Sequence, residues 1–287
     1  MAQTFHQPAS VDEAIAVLTE HGELARLLAG GATLVAMMNA GLLETSALIS
    51  LSAIEELTEI RIAEDGSARI GAMRRHRQTA FESNLRDGQQ VLSRAAAQIA
   101  NVPVRNMGTL GGSISFADPA ADYPPALVAA DARIEIAGKS ARRQVAAEEF
   151  FLGWYETALE SGEMVTAAVV PEAPAGSVGV YEKLCRVSGD FAVASVALRL
   201  TANAGEIADL RIAIGACGGG PVRVPEAEKL LIGFELTTGR VEAAAECIVA
   251  ELDPVDDVRA SAAYRRLVVP RLLQKALNEA MDEASDQ

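Results

Sequence analysis

Two five-residue runs in this chain have the composition of anion-holding turns. The first is Ala29-Gly30-Gly31-Ala32-Thr33 and the second is Thr109-Leu110-Gly111-Gly112-Ser113. Glycine lets backbone N–H groups approach a ligand closely, and a helix that starts just after such a turn points its positive end at the same place. Phosphate is the anion this combination suits best. The hydroxyls of the second run could face another phosphate, and Arg105 lies nearby. The acids point the same way. The chain carries 39 of them in 287 residues, yet none occurs from Leu24 to Leu43 or between Asp87 and Asp118. At the average density about four would fall in the second window alone. Carboxylates beside a pyrophosphate would repel it, so the two cleared runs read as two sides of one cradle. Neither run is GxGxxG or a P-loop, and a glycine pair between strand and helix is by itself ordinary turn chemistry.

The elements that must position these runs follow from period and punctuation. Ser10 with Glu13 is a capping-box pattern opening a helix that runs to Gly22. LARLLAGG is a short buried strand ending in glycines, TLVAMMNAG a helix closed by Gly41, and ALISL a second strand, together a βαβ-like unit. EIRIAEDGSARIGAM is a hairpin around Asp65-Gly66. Helices are expected over 77–85 and 88–101. PPALVAADARIEIAG passes from helix into strand, and EMVTAAVVP is a strand ending at Pro171. PEAPAGSVG at 171–179 is the best linker. Beyond it VYEKLCRVS, AVASVALRLTAN and EIADLRIAIGACG form an antiparallel meander, followed by helices near 225–233, 239–251 and 258–284. Strands first and helices after is an α+β order. The acidic end DEASDQ is expected to be disordered.

Length favours two domains, and a chain that is 50% hydrophobic has ample core. A net charge of −14 with no basic run argues against nucleic acid. No apolar run approaches the roughly eighteen residues that span a bilayer, and the polar N-terminus MAQTFHQPASVDEAIAV shows no leader, which suggests a cytoplasmic protein. Cys185, Cys217 and Cys247 are isolated and are expected to be buried free thiols. Without about four clustered thiolates the chain cannot hold an iron–sulfur cluster alone. His6, His21 and His76 show no partner pattern and are expected at the surface, and Trp154 and Tyr155 as core or interface anchors. No residue stands out as an acid–base catalyst. Asp118 and Asp122 could each simply cap the helix near Pro124, and Lys183 could be a solvated strand residue.

AGGATLVAMMNAGLL, followed by VRNMGTLGGSISFADPAADYPPALVAADARIEI and later by YEKLCRVSGDFAVASVAL, resembles the FAD-binding medium subunit of the molybdenum hydroxylases, the family of xanthine, carbon monoxide and nicotine dehydrogenases. The resemblance covers nearly the whole chain. It implies a two-lobed FAD-binding domain of the vanillyl-alcohol-oxidase (PCMH) type over 1–172, with lobes of about 1–55 and 56–172. A C-terminal domain with a three-stranded antiparallel sheet and a helix bundle follows over 173–287. It implies that Ala29, Gly30, Gly31, Ala32, Thr33, Leu34 and Val35 form the first pyrophosphate loop. Thr109, Leu110, Gly111, Gly112 and Ser113 would form the second, with Asn101 a further cofactor contact. Asp122 would bond the adenosine portion, the backbone of Val165 would touch the isoalloxazine, and Lys183 would lie near the flavin ring. The same resemblance implies a large molybdopterin-cofactor subunit and a small 2Fe–2S subunit as partners in a dimer of heterotrimers. Electrons would leave to NAD, oxygen or a quinone. Ala32-Thr33 departs from the His-Ser of carbon monoxide dehydrogenases, which leaves that substrate open. Two other functions stand beside this one: a stand-alone FAD oxidase acting directly on a small organic substrate, and a flavin-free scaffold.

Overall fold

In the computed structural model, which describes residues 3–286, Ser10 caps the first helix as its spacing predicts. Its Oγ accepts the Glu13 N–H at 3.2 Å, and Glu13 Oε2 accepts the Ala9 N–H at 2.8 Å, one residue earlier than in a strict capping box. Met1, Ala2 and Gln287, on which the leader and tail expectations partly fall, lie outside the described residues. The N-terminal lobe runs β1 (Thr4–His6), α1 (Val11–His21), β2 (Ala25–Leu28), α2 (Leu34–Asn39) and β3 (Ala47–Ser50). Its sheet is parallel with β3 in the middle, order β1-β3-β2. The βαβ unit is as expected. Strand β1 is not, because three residues are too short to show a period.

The second lobe begins with the hairpin β4 (Ile60–Ile62) and β5 (Ala68–Gly71). Five helices follow: α3 (His76–Ala80), α4 (Gln90–Gln98), α5 (Val102–Met107), α6 (Leu110–Phe116) and α7 (Tyr123–Ala129). Then come β6 (Arg133–Ala137), β7 (Arg142–Ala146), α8 (Ala147–Phe150), the small hairpin β8 (Phe151–Gly153) and β9 (Glu156–Thr157), and β10 (Met164–Val170). The main sheet is antiparallel, order β4-β5-β10-β6-β7, with the last strand of the lobe in its centre. The helices expected over 77–85 and 88–101 are both shorter. Ala100 takes a left-handed φ of 43° and ends the second, and Asn101 starts α5 by accepting the Val104 N–H at 3.1 Å. The second glycine run is not a loop: Gly111 and Gly112 lie in the first turn of α6, capped by Thr109.

The third unit is the meander β11 (Val178–Leu184), β12 (Ala194–Asn203) and β13 (Glu206–Gly215), then α9 (Pro225–Lys229), α10 (Thr238–Glu251) and α11 (Ala262–Ser285). The alternation of the strands divides two cores. Val196, Leu198 and Leu200 of β12 join the C-terminal core with α10 and α11, whereas Ala197, Tyr181 and Ala213 face the first core. That two-sided burial is why these strands read as near-continuous apolar runs. Residues 282–285 of the expected disordered tail are instead the last turn of α11, because Glu279 and Glu283 are held by Arg94 on α4 at 3.1 and 2.6 Å. The three thiols are free, but only Cys217 is buried, and burial pushes its pKa up to about 12. Trp154 and Tyr155 are about half exposed, at 50% and 56%, so of the expected core or interface role the core part is excluded. Both ride the solvent-facing tip of the β8–β9 hairpin. Among the described residues no helix is long and apolar enough to cross a membrane.

Candidate functional site

The two glycine runs, some eighty residues apart in sequence, meet. A Cβ on Gly30 would strike the Met107 carbonyl at the end of α5, and one on Gly112 would stand 3.6 Å from the Ala29 Cβ. Gly31 has φ +75°, a conformation L side chains rarely adopt, and it turns the chain from β2 into α2. Gly30 is thus a position where a side chain would separate the two segments, whereas a Cβ on Gly112 would only bring the second run into ordinary contact with Ala29.

Their donors differ. Among the described residues no backbone or side-chain acceptor takes the N–H of Gly30, Gly31, Ala32, Thr33 or Leu34, although Val35 and Met37 begin the helical ladder by donating to Gly31 and Thr33. Thr33 sits at the N-cap of α2 without a capping hydrogen bond of its own. Five successive amides in this partly exposed turn thus have no acceptor within the chain, and each needs an external one. In the second run four of the five amides are paired within the chain, and only the Thr109 N–H has no acceptor among the described residues. Leu110 donates to the Arg74 carbonyl at 2.9 Å, Gly111 to the Ala72 carbonyl at 2.8 Å, Gly112 to Thr109 Oγ1 at 3.1 Å and Ser113 to the Thr109 carbonyl at 3.0 Å. The second run therefore offers a wall of small residues, the Ser113 hydroxyl and one open amide, against five open amides in the first.

The wall is braced from behind by the 72–76 segment, whose carbonyls and amides pair with 108–111. Gly111 packs so closely on Ala72 that a Cβ would lie 2.5 Å from the Ala72 Cβ. His76 lies beneath Gly108 and is 5% exposed, with Nδ1 3.4 Å from the Tyr123 hydroxyl. The surface expectation for His76 is corrected: it opens α3 directly against the wall, and local sequence carries no signal of that contact. Burial, reinforced by the Arg105 charge, lowers its pKa to about 4, so the ring is neutral at pH 7. His6 and His21 are half-buried, their rings 4.9 Å apart. Arg105 itself points away from a phosphate role. Its Nη1 donates to the carbonyls of Ile99 and Ala100 at 2.7 and 2.6 Å, closing the turn before α5.

The remaining predicted site residues are spread over several elements, and only Asp122 and Lys183 among them are paired. Asn101 is the exposed cap of α5, and Val165 is buried on β10 at a bulge in its pairing with β6. Leu34 and Val35 begin α2, with Val35 41% exposed. Asp122 and Lys183 are brought together. Lys183 Nζ lies 2.9 Å from Asp122 Oδ1 and donates to the Gln98 carbonyl at 2.9 Å. Tyr181, which sequence inspection overlooked, donates its hydroxyl to the same Asp122 oxygen at 2.6 Å. Lys183 is thus not a solvated strand residue, and Asp122, at the N-cap of α7, makes no capping bond. Burial drives the Asp122 pKa up, opposed by Lys183 and Tyr181.

Comparison with known proteins gives a consistent picture. Residues 1–173 match the family described as FAD binding domain in molybdopterin dehydrogenase, and residues 179–280 that described as CO dehydrogenase flavoprotein C-terminal domain. The carbon monoxide dehydrogenase medium chain of Hydrogenophaga pseudoflava is 35% identical over 96% of this chain and 96% of its own. The nicotine 6-hydroxylase medium subunit of Paenarthrobacter nicotinovorans is 34% identical with the same coverage of both. Among solved structures, reconstituted CO dehydrogenase from Oligotropha carboxidovorans superposes with a TM-score of 0.95 at 32% identity, covering 99% of each chain.

Proposed function

We propose a function from one premise: the chain belongs to the molybdenum hydroxylases, as one of their FAD-binding medium subunits. It is an oxidoreductase subunit whose cofactor is FAD and whose relatives are named as medium chains or subunits of larger enzymes. In our reading the open amides of Gly30–Leu34 hold the FAD pyrophosphate, and Ala29, Val35, Thr109, Leu110, Gly111, Gly112 and Ser113 shape the walls around it. This single feature carries the proposal: five unpaired N–H groups in the turn that leads into α2, packed beside a second acid-free glycine segment. The residues fit the group, since the amides need an acceptor and the glycines keep the floor free of side chains. Asn101 and the Val165 backbone would line the rest of the cleft.

When bound, FAD supplies an electron relay between the 2Fe–2S clusters of a small subunit and an acceptor such as NAD, oxygen or a quinone. The residues of this chain bind and orient it, keep carboxylates away from its phosphates, and take no proton from a substrate. Substrate oxidation would belong to a molybdopterin subunit, in a cytoplasmic dimer of heterotrimers. The family members above differ in substrate, so this chain's own is not set by membership. We take 1–172 as the FAD-binding domain, with lobes 1–55 and 56–172, and 173–287 as the C-terminal domain.

The test is a comparison of the purified full chain with the chain co-expressed with its partner subunits. The chain alone should contain or take up FAD, be reduced by dithionite, and oxidise no organic substrate, while the complex turns substrate over. Flavin reduction by an organic substrate in the metal-free single chain would instead establish a stand-alone oxidase. Absence of flavin from both forms would overturn the reading altogether.

A further inference from the structure

Asp122 is the acid that ends the second cleared window's downstream turn, and it sits one residue before Tyr123, which touches His76 under the glycine wall. An unpaired carboxylate there would be a buried charge beside an anion site. The structure supplies its counter-ion from another domain. Lys183 comes from β11 and reaches across to Asp122 at 2.9 Å, with its side chain 1% exposed and Asp122's 6%. The same lysine donates to the Gln98 carbonyl, while Gln98 Nε2 donates to the Tyr181 carbonyl at 3.0 Å, so β11 and the end of α4 are knit in both directions. Arg105 then takes the next two carbonyls, Ile99 and Ala100. Gly189, six residues beyond Lys183, packs onto the Ala100 carbonyl. This turn launches α5, and the far end of α5, Met107, rests on Gly30 of the cradle.

We propose that Lys183 is a positioning residue rather than a flavin ligand: it neutralises Asp122 and, with Tyr181, latches the C-terminal sheet to the turn that sets α5 against the FAD cradle. The inference rests on the FAD reading given above and deepens it. The physical expectation is specific to a counter-ion. Removing one member of a buried pair leaves an uncompensated charge and is costly, whereas replacing both members leaves none and costs far less. A direct ligand would show no such rescue.

The experiment is a double-mutant cycle on Lys183→Met and Asp122→Asn, with Tyr181→Phe beside it. Two quantities are read for each: the Tm of the flavin-stripped full chain, and the FAD dissociation constant of the complex from which the wild-type chain is purified. Lys183→Met alone should lower Tm and weaken FAD binding by about tenfold or more. The double variant should regain most of the Tm and bind FAD within about threefold of wild type, a coupling between contacting residues that independent sites do not show. Tyr181→Phe should reproduce part of the Lys183→Met loss in both readouts. A double variant that regains Tm but still binds FAD about tenfold more weakly makes Lys183 or Asp122 a ligand and overturns the proposal. An unchanged Tm in Lys183→Met overturns the latch. A wild-type complex without FAD overturns the functional reading instead, and leaves the Tm cycle to judge the latch.

Discussion

At the residue scale the cradle depends on where a side chain can be added. Gly111 and Gly112 are neighbours with opposite surroundings. Gly111 is buried on Ala72, whereas Gly112 is exposed and meets only Thr109 Oγ1, at 3.0 Å, and the Ala29 Cβ. Any side chain at Gly111 must therefore push the 72–76 brace aside, and its substitution reports on packing. Gly112→Asp is the cleaner electrostatic probe. It should keep the far-ultraviolet circular dichroism of the wild type and weaken FAD binding by about tenfold or more, since a carboxylate would face the pyrophosphate across a few ångströms. Full flavin content in Gly112→Asp would mean that the wall does not face the phosphates. Gly31→Ala is expected to cost about 1–2 kcal/mol of stability, because alanine must then hold φ +75°.

Among the elements, α3 and α7 are tied together beneath the wall by His76 and Tyr123, whose rings lie 5.4 Å apart. Burial of His76 has a pH signature. Its folded pKa of about 4 lies below the ordinary 6.5, so the unfolded chain takes up a proton first as pH falls. The corresponding stability is fully present above pH 6.5 and is lost as pH drops towards 4. A difference of about 2.5 units corresponds to roughly 3 kcal/mol. Urea titrations of the wild type between pH 7 and 4 should show that loss. His76→Gln, less stable at neutral pH, should lose correspondingly less over the same interval, and parallel declines would remove His76 from the explanation.

For the molecule as a whole, the two cores share one sheet, and side chains bridge them at its edges. Arg94 of α4 forks onto Glu283 at 2.9 and 2.6 Å and reaches Glu279, pinning the last turns of α11 to the FAD-binding part. These groups are about a third exposed, so solvent screening keeps the pair modest. Arg94→Ala should lower stability by about 1 kcal/mol, an effect that shrinks in high salt and leaves FAD affinity unchanged. A loss insensitive to salt would point to packing of the arginine stem instead.

The local chemistry of this protein was legible in order along the chain. The first glycine run, the hairpin at Asp65-Gly66 and the three-strand meander are all short-range patterns, and each marks a real element or turn. Short polar strands such as β1 and β7, and the helix hidden in the second glycine run, escaped because their pairing partners and not their own periods hold them. Three decisions belonged to the tertiary structure alone. Which amides of the glycine runs remain open depends on the carbonyls of Ala72 and Arg74, which lie some forty residues upstream of Gly111 and Leu110. Whether His76 is wet or dry depends on Gly108 and Tyr123. Whether Lys183 faces solvent or Asp122 depends on a strand from the second core meeting α7 of the first, 61 positions away. Charge and burial are properties of neighbours in space, and only the fold determines which residues those are.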